Sequence, residues 1–125
     1  MGIQQNAGDD NSRFGIACRV SDAGSLYSFE VSQDGTYGIY KYDNWSSDPL
    51  EEGTLDPDTI SQGNINQLEG ICDGDILTML INGQPLIQVQ DSDYTSGGIG
   101  LIALPGTNSE KGVDVLFSHL LVKGP

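Results

Sequence analysis

Five side chains between positions 19 and 45 have the types that hold a ligand: Arg19, Glu30, Tyr40, Tyr42 and Trp45. Aromatic rings stack on the apolar faces of sugar rings, and a carboxylate accepts hydroxyl hydrogen bonds. In the strand reading below, Glu30, Tyr40 and Tyr42 project from the face opposite the core, with Arg19 on a neighbouring strand. Such a face suits a glycan; the alternative is an ordinary solvated sheet face whose tyrosines cover their neighbours. Trp45 sits in a loop beside Tyr42 and Asn44. It is the best single stacking platform, unless it closes over the core as lone tryptophans commonly do.

Other chemistry finds less support. The one histidine, His119, has no serine or cysteine nucleophile motif near it and reads as a strand-surface residue. There is no phosphate-binding glycine loop of either common type. Asp73-Gly-Asp75 and Asp91-Ser-Asp93 bring carboxylates close together, as calcium sites do, but no Asp-x-Asp-x-Asp-Gly loop accompanies them. Aspartate in turns is the commoner use, so calcium is a weak expectation and no other cofactor is expected. Cys18 and Cys72 lack a Cys-x-x-Cys spacing, which argues against zinc. They form either a disulfide, implying an oxidising compartment, or two buried free thiols.

The whole-chain totals narrow the partners. Eighteen acids against five Lys and Arg give a formal charge of −13 over 125 residues. A surface of that sign disfavours nucleic acid and anionic membranes. No apolar run approaches the ~20 residues that span a bilayer as a helix, so membrane insertion is not expected. No secretory apolar segment opens the chain, which says little about location.

The elements that must position these residues are strands. Phe14 to Val20 alternates, with Phe14, Ile16, Cys18 and Val20 expected on the core face and Arg19 opposite. Leu26 to Ser32 and Thr36 to Tyr42 form a hairpin. A three-residue loop with Gly35 in the left-handed position pairs Val31 with Tyr37 and Phe29 with Ile39, which puts Tyr27, Phe29, Val31, Tyr37 and Ile39 on one face. Between Asn66 and Asp91 three strands are joined by Gly74-Asp75 and Asn82-Gly83, the latter a strong type I′ signal. This register pairs Leu68 with Ile81, Gly70 with Met79 and Cys72 with Leu77. Asp43 to Gly63 reads as a long irregular connection, with Leu55 and Ile60 turned inward or in a short strand. Gly98 to Leu104 and Val113 to Val122 complete the strands. Residues 1–13 are polar and aperiodic and read as a flexible or partner-ordered arm, leaving one domain at 14–123. Short strands at regular spacing with polar turns predict an all-β, antiparallel two-sheet sandwich, with a closed barrel as the runner-up.

The order of these segments carries a resemblance. Ser-Arg-Phe-Gly-Ile-Ala-Cys from Ser12 is followed by Tyr-Ser-Phe-Glu-Val from Tyr27 and Asn-Gln-Leu-Glu-Gly-Ile-Cys from Asn66. Then come Leu-Ile-Asn-Gly-Gln from Leu80, Gly-Ile-Gly-Leu from Gly98 and Val-Leu-Phe-Ser-His from Val115. Together they resemble the concanavalin A-like lectin/glucanase jelly rolls, nearest to bacterial laminin-G-like and 3-keto-disaccharide-hydrolase-like modules. The resemblance implies a jelly-roll sandwich lacking its N-terminal strands, a Cys18–Cys72 disulfide and an extracellular or cell-surface setting. It implies ligand binding on the concave sheet or at loop rims. Glucanases of that fold set two glutamates on one strand; Glu30 and Glu69 stand alone here, so catalysis is not expected. The first reading is a non-catalytic binding module with a glycan ligand. A hydrolase of the 3-keto-disaccharide type is the alternative, and a structural subunit, homo-oligomeric or completed by another chain, is the third.

Overall fold

The computed structural model describes residues 2–8, 12–32, 34–55, 64–65, 67–104 and 113–118. All regular structure in them is β. The strands are β1 (Gly2–Gly8), β2 (Arg13–Val20), β3 (Leu26–Val31), β4 (Thr36–Asp43), β5 (Ser46–Thr54), β6 (Asn64–Ile65), β7 (Leu68–Asp73), β8 (Ile76–Ile81), β9 (Gln84–Gln90), β10 (Gly98–Leu104) and β11 (Val113–Ser118). A five-stranded antiparallel sheet runs β10-β2-β3-β4-β5, and a three-stranded one runs β7-β8-β9. The backbones of β11, β1 and β6 form a third ladder, with β1 pairing antiparallel to both others. Residues 2–8, expected as part of an arm, are therefore strand β1.

Turn chemistry sets the registers. Asn82 and Gly83 both adopt positive φ, the requirement of a type I′ turn, and Ile81 pairs with Gln84 across them. Leu68 faces Ile81, Gly70 faces Met79 and Cys72 faces Leu77, as the apolar pattern requires. In the β3–β4 hairpin, Gly35 takes φ +97° and the Ser32 amide donates to the Thr36 carbonyl, so Val31 faces Tyr37 and Phe29 faces Ile39.

The core lies between the two sheets. Phe14, Tyr27, Phe29, Val31 and Ile39 from one layer bury against Leu68, Leu77, Met79, Ile81 and Ile87 from the other. Each such side chain contributes roughly 1.5–3 kcal/mol by leaving water. The Phe29 ring lies on Gly70 so closely that a Cβ there would stand 2.2 Å from Cδ2. The Cys18–Cys72 disulfide joins β2 to β7, and so one sheet to the other.

Two local readings give way to the structure. Val20 leaves the core face. The β2–β10 register shifts between Gly98 and Ile99, opposite Val20 and Cys18, so Arg19 is the extra residue of a bulge at φ +55°. Val20 then packs with Ala17 and Leu26 on the opposite face. Secondly, the first part of the expected irregular connection is strand β5, an edge strand paired along β4. It shows no alternation because neither face is buried, and it carries Pro49 where the register shifts, a place an edge strand tolerates. Leu55 is buried as expected; Ile60 lies outside the described residues.

Candidate functional site

The face expected to meet a ligand has the right residues but is not open. Ser28, Glu30, Ser32, Tyr40 and Tyr42 share it, and all are buried. Glu30 Oε2 accepts hydrogen bonds from Ser28 Oγ and, at 2.8 Å, from the Tyr42 hydroxyl. Arg13 Nε stands 3.0 Å from Glu30 Oε1. That approach lacks hydrogen-bond alignment, so the oxygen has charge compensation without a directed donor. The Arg13 guanidinium covers the Tyr40 ring at 4.3 Å, and the Tyr40 hydroxyl donates to Glu52 at 2.6 Å. Burial raises the Glu30 pKa above the ordinary glutamate value, and Ser28, Arg13 and Tyr42 only partly offset it. Burial also raises the hydroxyls of Tyr40 and Tyr42, with Glu52 and Glu30 as the next causes respectively. Glu30, Tyr40 and Tyr42, expected as ligand contacts, lie in an internal polar network, because Leu26, Ala17 and the half-buried Val20, Ile102 and Leu104 pack on the same face. Arg19 is also removed from that face by its bulge; its Nη1 donates to the Tyr94 carbonyl at 2.9 Å.

Trp45 behaves differently. It is 64 % exposed, the most open of the large hydrophobics among the described residues, so it is no lid of the core. Asn44 and Trp45 are the two central residues of the β4–β5 turn, at φ +51° and +65°, and Asp43 pairs with Ser46 across them. A bulky residue at positive φ is an outlier, with a cost of about 1–2 kcal/mol. The Trp45 amide donates to the Gly24 carbonyl at 3.0 Å. The indole occupies the space where a side chain at position 24 would stand; a Cβ there would be 2.6 Å from Cδ1 and Nε1. The β2–β3 loop thus holds the ring, and most of its surface faces solvent.

Beside this turn is a groove of about 470 Å³ lined by Lys41, Asp43, Ser46, Asp48, Asp93 and Tyr94. One wall comes from the end of the β4–β5 hairpin, where Lys41 faces Asp48 and Asp43 faces Ser46. The other is the segment after β9, pinned to the sandwich by several bonds. The Tyr27 hydroxyl donates to Asp91 Oδ1 and accepts the Tyr94 amide at 3.1 Å. Lys41 Nζ donates to Asp91 Oδ2 at 3.1 Å and to Asp93. The Tyr94 hydroxyl donates to the Tyr42 carbonyl at 2.7 Å, and its ring rests on Tyr27 with centroids 4.9 Å apart. Burial raises the Tyr27 hydroxyl to about 12, with the bond to Asp91 adding to it. Burial would raise Asp91, yet the Tyr27 hydroxyl, the Asp93 amide and Lys41 together hold it below the ordinary aspartate value. Lys41 is raised, chiefly by its bond to Asp93.

The sequence reading named Trp45, which stands beside this groove, but not Lys41, Asp43, Asp48 or Tyr94, which line it. The signal for the hairpin wall was the Asn-Trp dipeptide: both residues at positive φ make a tight hairpin, which folds Asp48 back onto Lys41, whereas Tyr94 is brought in by its contacts with Tyr27 and Tyr42. Among the described residues, no group of three His, Cys, Asp or Glu side chains is arranged to hold a metal ion. Asp91 and Asp93 surround Lys41, and Asp75 accepts from Gln90 Nε2 at 2.5 Å. His119 lies outside the described residues.

A scan of family models finds no match, and a search of curated proteins finds none either. Solved structures do match. The carbohydrate-binding module CBM66 from Bacillus subtilis superposes with a TM-score of 0.66 at 19 % identity, over 80 % of this chain and 62 % of that one. The chain therefore spans less than two thirds of the CBM66 chain. Sheep galectin-11, in complex with glycerol, superposes with a TM-score of 0.51 at 16 % identity, over 92 % of this chain and 88 % of that one. Likeness at these identities shows the fold, a lectin-like β-sandwich.

Proposed function

We propose that this protein is a non-catalytic carbohydrate-binding module that holds its glycan at the end of the sandwich, in the groove beside Trp45. The observation that carries the reading is Trp45 itself. An indole mostly open to water, in a backbone conformation that favours glycine, is a double cost that fold stability does not explain. A sugar ring stacked on the free indole surface uses both features. Asp43 and Asp48 accept hydroxyl hydrogen bonds, Ser46 donates or accepts, and Lys41, held by Asp91 and Asp93, donates to a ring or glycosidic oxygen. The two fold neighbours support the class, being a carbohydrate-binding module and a galectin by name. The concanavalin A-like assignment belongs to the same reading, as does an extracellular setting, which the Cys18–Cys72 disulfide supports.

A glycan array followed by calorimetry on the strongest hits tests this. Trp45→Ala is expected to weaken binding at least tenfold, while Glu30→Gln changes affinity little because Glu30 is buried away from the groove. Failure of every glycan to bind, or full affinity in Trp45→Ala, overturns the proposal.

A further inference from the structure

We propose that β10 is a homodimerisation edge, pairing antiparallel with β10 of a second copy about a two-fold axis at Leu101. Among the described residues β10 is an end strand of the five-stranded sheet, hydrogen-bonded to β2 on one side only. β11 passes near it, but pairs with β1 in the third ladder. Ile99, Leu101 and Ala103 share the face of Cys18, Ile16 and Phe14, their partners across the ladder, and that face is turned to the core. Yet Ile99 is 55 % and Leu101 47 % exposed, whereas Ile102 and Leu104 on the opposite face are half-buried. The interior face of this strand is the one left open.

Chains ordinarily blunt such an edge with charge or proline. The other ends of the two sheets follow that rule: β5 carries Asp48, Pro49, Glu51 and Glu52, β7 carries Glu69 and Asp73, and β9 carries Pro85. The seven residues of β10, Gly-Ile-Gly-Leu-Ile-Ala-Leu, carry neither. In a chain of charge −13, an uncharged edge is where a second copy meets least repulsion.

The sequence of the strand also fits itself. With the axis at Leu101, Gly98 faces the second copy's Leu104, Ile99 faces its Ala103 and Gly100 faces its Ile102. A large residue meets a small one in every pair except Leu101 with itself. The strip of Ile99, Leu101 and Ala103 becomes continuous across the dimer on one face, as an isologous contact requires. A seven-residue edge is about 23 Å long and buries less than a standard interface, so the dimer forms at high concentration and exchanges readily. Gly98 lies at the same end of the sheet as Val20, Leu26 and Asp43, which is the Trp45 end. Antiparallel pairing therefore points the two grooves in opposite directions, and the dimer bridges two ligands rather than gripping one.

Sedimentation velocity across micromolar to millimolar protein is expected to show mass rising from 13.3 kDa towards twice that value. Leu101→Lys, at an exposed edge, is expected to weaken association at least tenfold with an unchanged thermal melt. Under mild oxidation, Leu101→Cys is expected to give a disulfide-linked dimer on a non-reducing gel, because position 101 faces itself. Ile99→Cys is expected to give little, because it faces Ala103. A monomer at every concentration with no Leu101→Cys dimer, or equal cross-linking at both positions, overturns the proposal.

Discussion

Opening the Cys18–Cys72 bridge is expected to lower stability by about 4 kcal/mol. The bridge closes a loop of sequence separation 54, and in the chain-entropy model a loop of that length restricts the unfolded ensemble by about 4 kcal/mol at 25 °C. The native state offers little to offset this. Both cysteines are half-buried and packed against the core, so two thiols remain in place after reduction without leaving a cavity. For a 125-residue chain the unfolding entropy is about 0.26 kcal/mol/K, so the midpoint should fall by about 15 °C. Urea melts with and without reductant measure the first figure and thermal melts the second. The urea slope should rise as well, because an unbridged denatured chain exposes more surface. A loss under about 1 kcal/mol with an unchanged slope would refute the reasoning; it would mean that the denatured chain is already confined without the bridge.

Further expectations rest on single contacts. Gly70→Ala should cost about 1–3 kcal/mol in denaturant melts, because the new Cβ drives the buried Phe29 ring out of its place. Gly24→Ala should weaken glycan binding several-fold while costing only about 1–2 kcal/mol of stability, since it displaces the indole and strains a φ of +80°; equal affinity in this variant would separate Trp45 from the site. Asp91 has a native pKa below its unfolded value of 3.8, so its contribution is present above that pH and is lost as pH falls through the native value. Asp91→Asn should flatten stability across that acidic window. Glu30 has the opposite sign: its native pKa lies above 4.5, so its contribution is full below that pH and is lost as pH rises through the native value. Stability of Glu30→Gln, followed from pH 4 upward, should fall less than that of the parent.

The hairpins were legible because turn chemistry and burial gave the same register. Asn82-Gly83 and the Gly35 loop each admit a single pairing that keeps apolar residues together, and the structure has those pairings. The five-stranded sheet was less legible at its two ends. At β5, Asn44-Trp45 supplies a type I′ turn without the glycine that usually announces one, and an edge strand with no buried face has no alternation to read. At β2, one bulged residue, Arg19, reversed the side of Val20. The candidate site was harder still. Parity placed Glu30, Tyr40 and Tyr42 on one face, but parity does not say whether a face is wet. The apolar neighbours on that face, Leu26 and Ala17, come from strands whose other face is apolar too. The groove residues are assembled by the turn at Trp45 and by the anchoring of Tyr94, contacts remote in sequence from one another.

In the proposed reading, the turn at Asn44 and Trp45 separates recognition from folding. None of the residues that hold the two sheets together, Phe29, Gly70, Met79 or the cysteine pair, lines the groove, while the indole stands on a two-residue tip at the end of an edge hairpin. A tip of that kind can be exchanged or lengthened with little effect on the layers beneath it. The sandwich is therefore a scaffold on which new specificity can arise by altering a few consecutive codons. A library randomised at 43–48, with Gly24 kept as the seat for an aromatic ring, would explore ligands without repeatedly sampling unfolded chains.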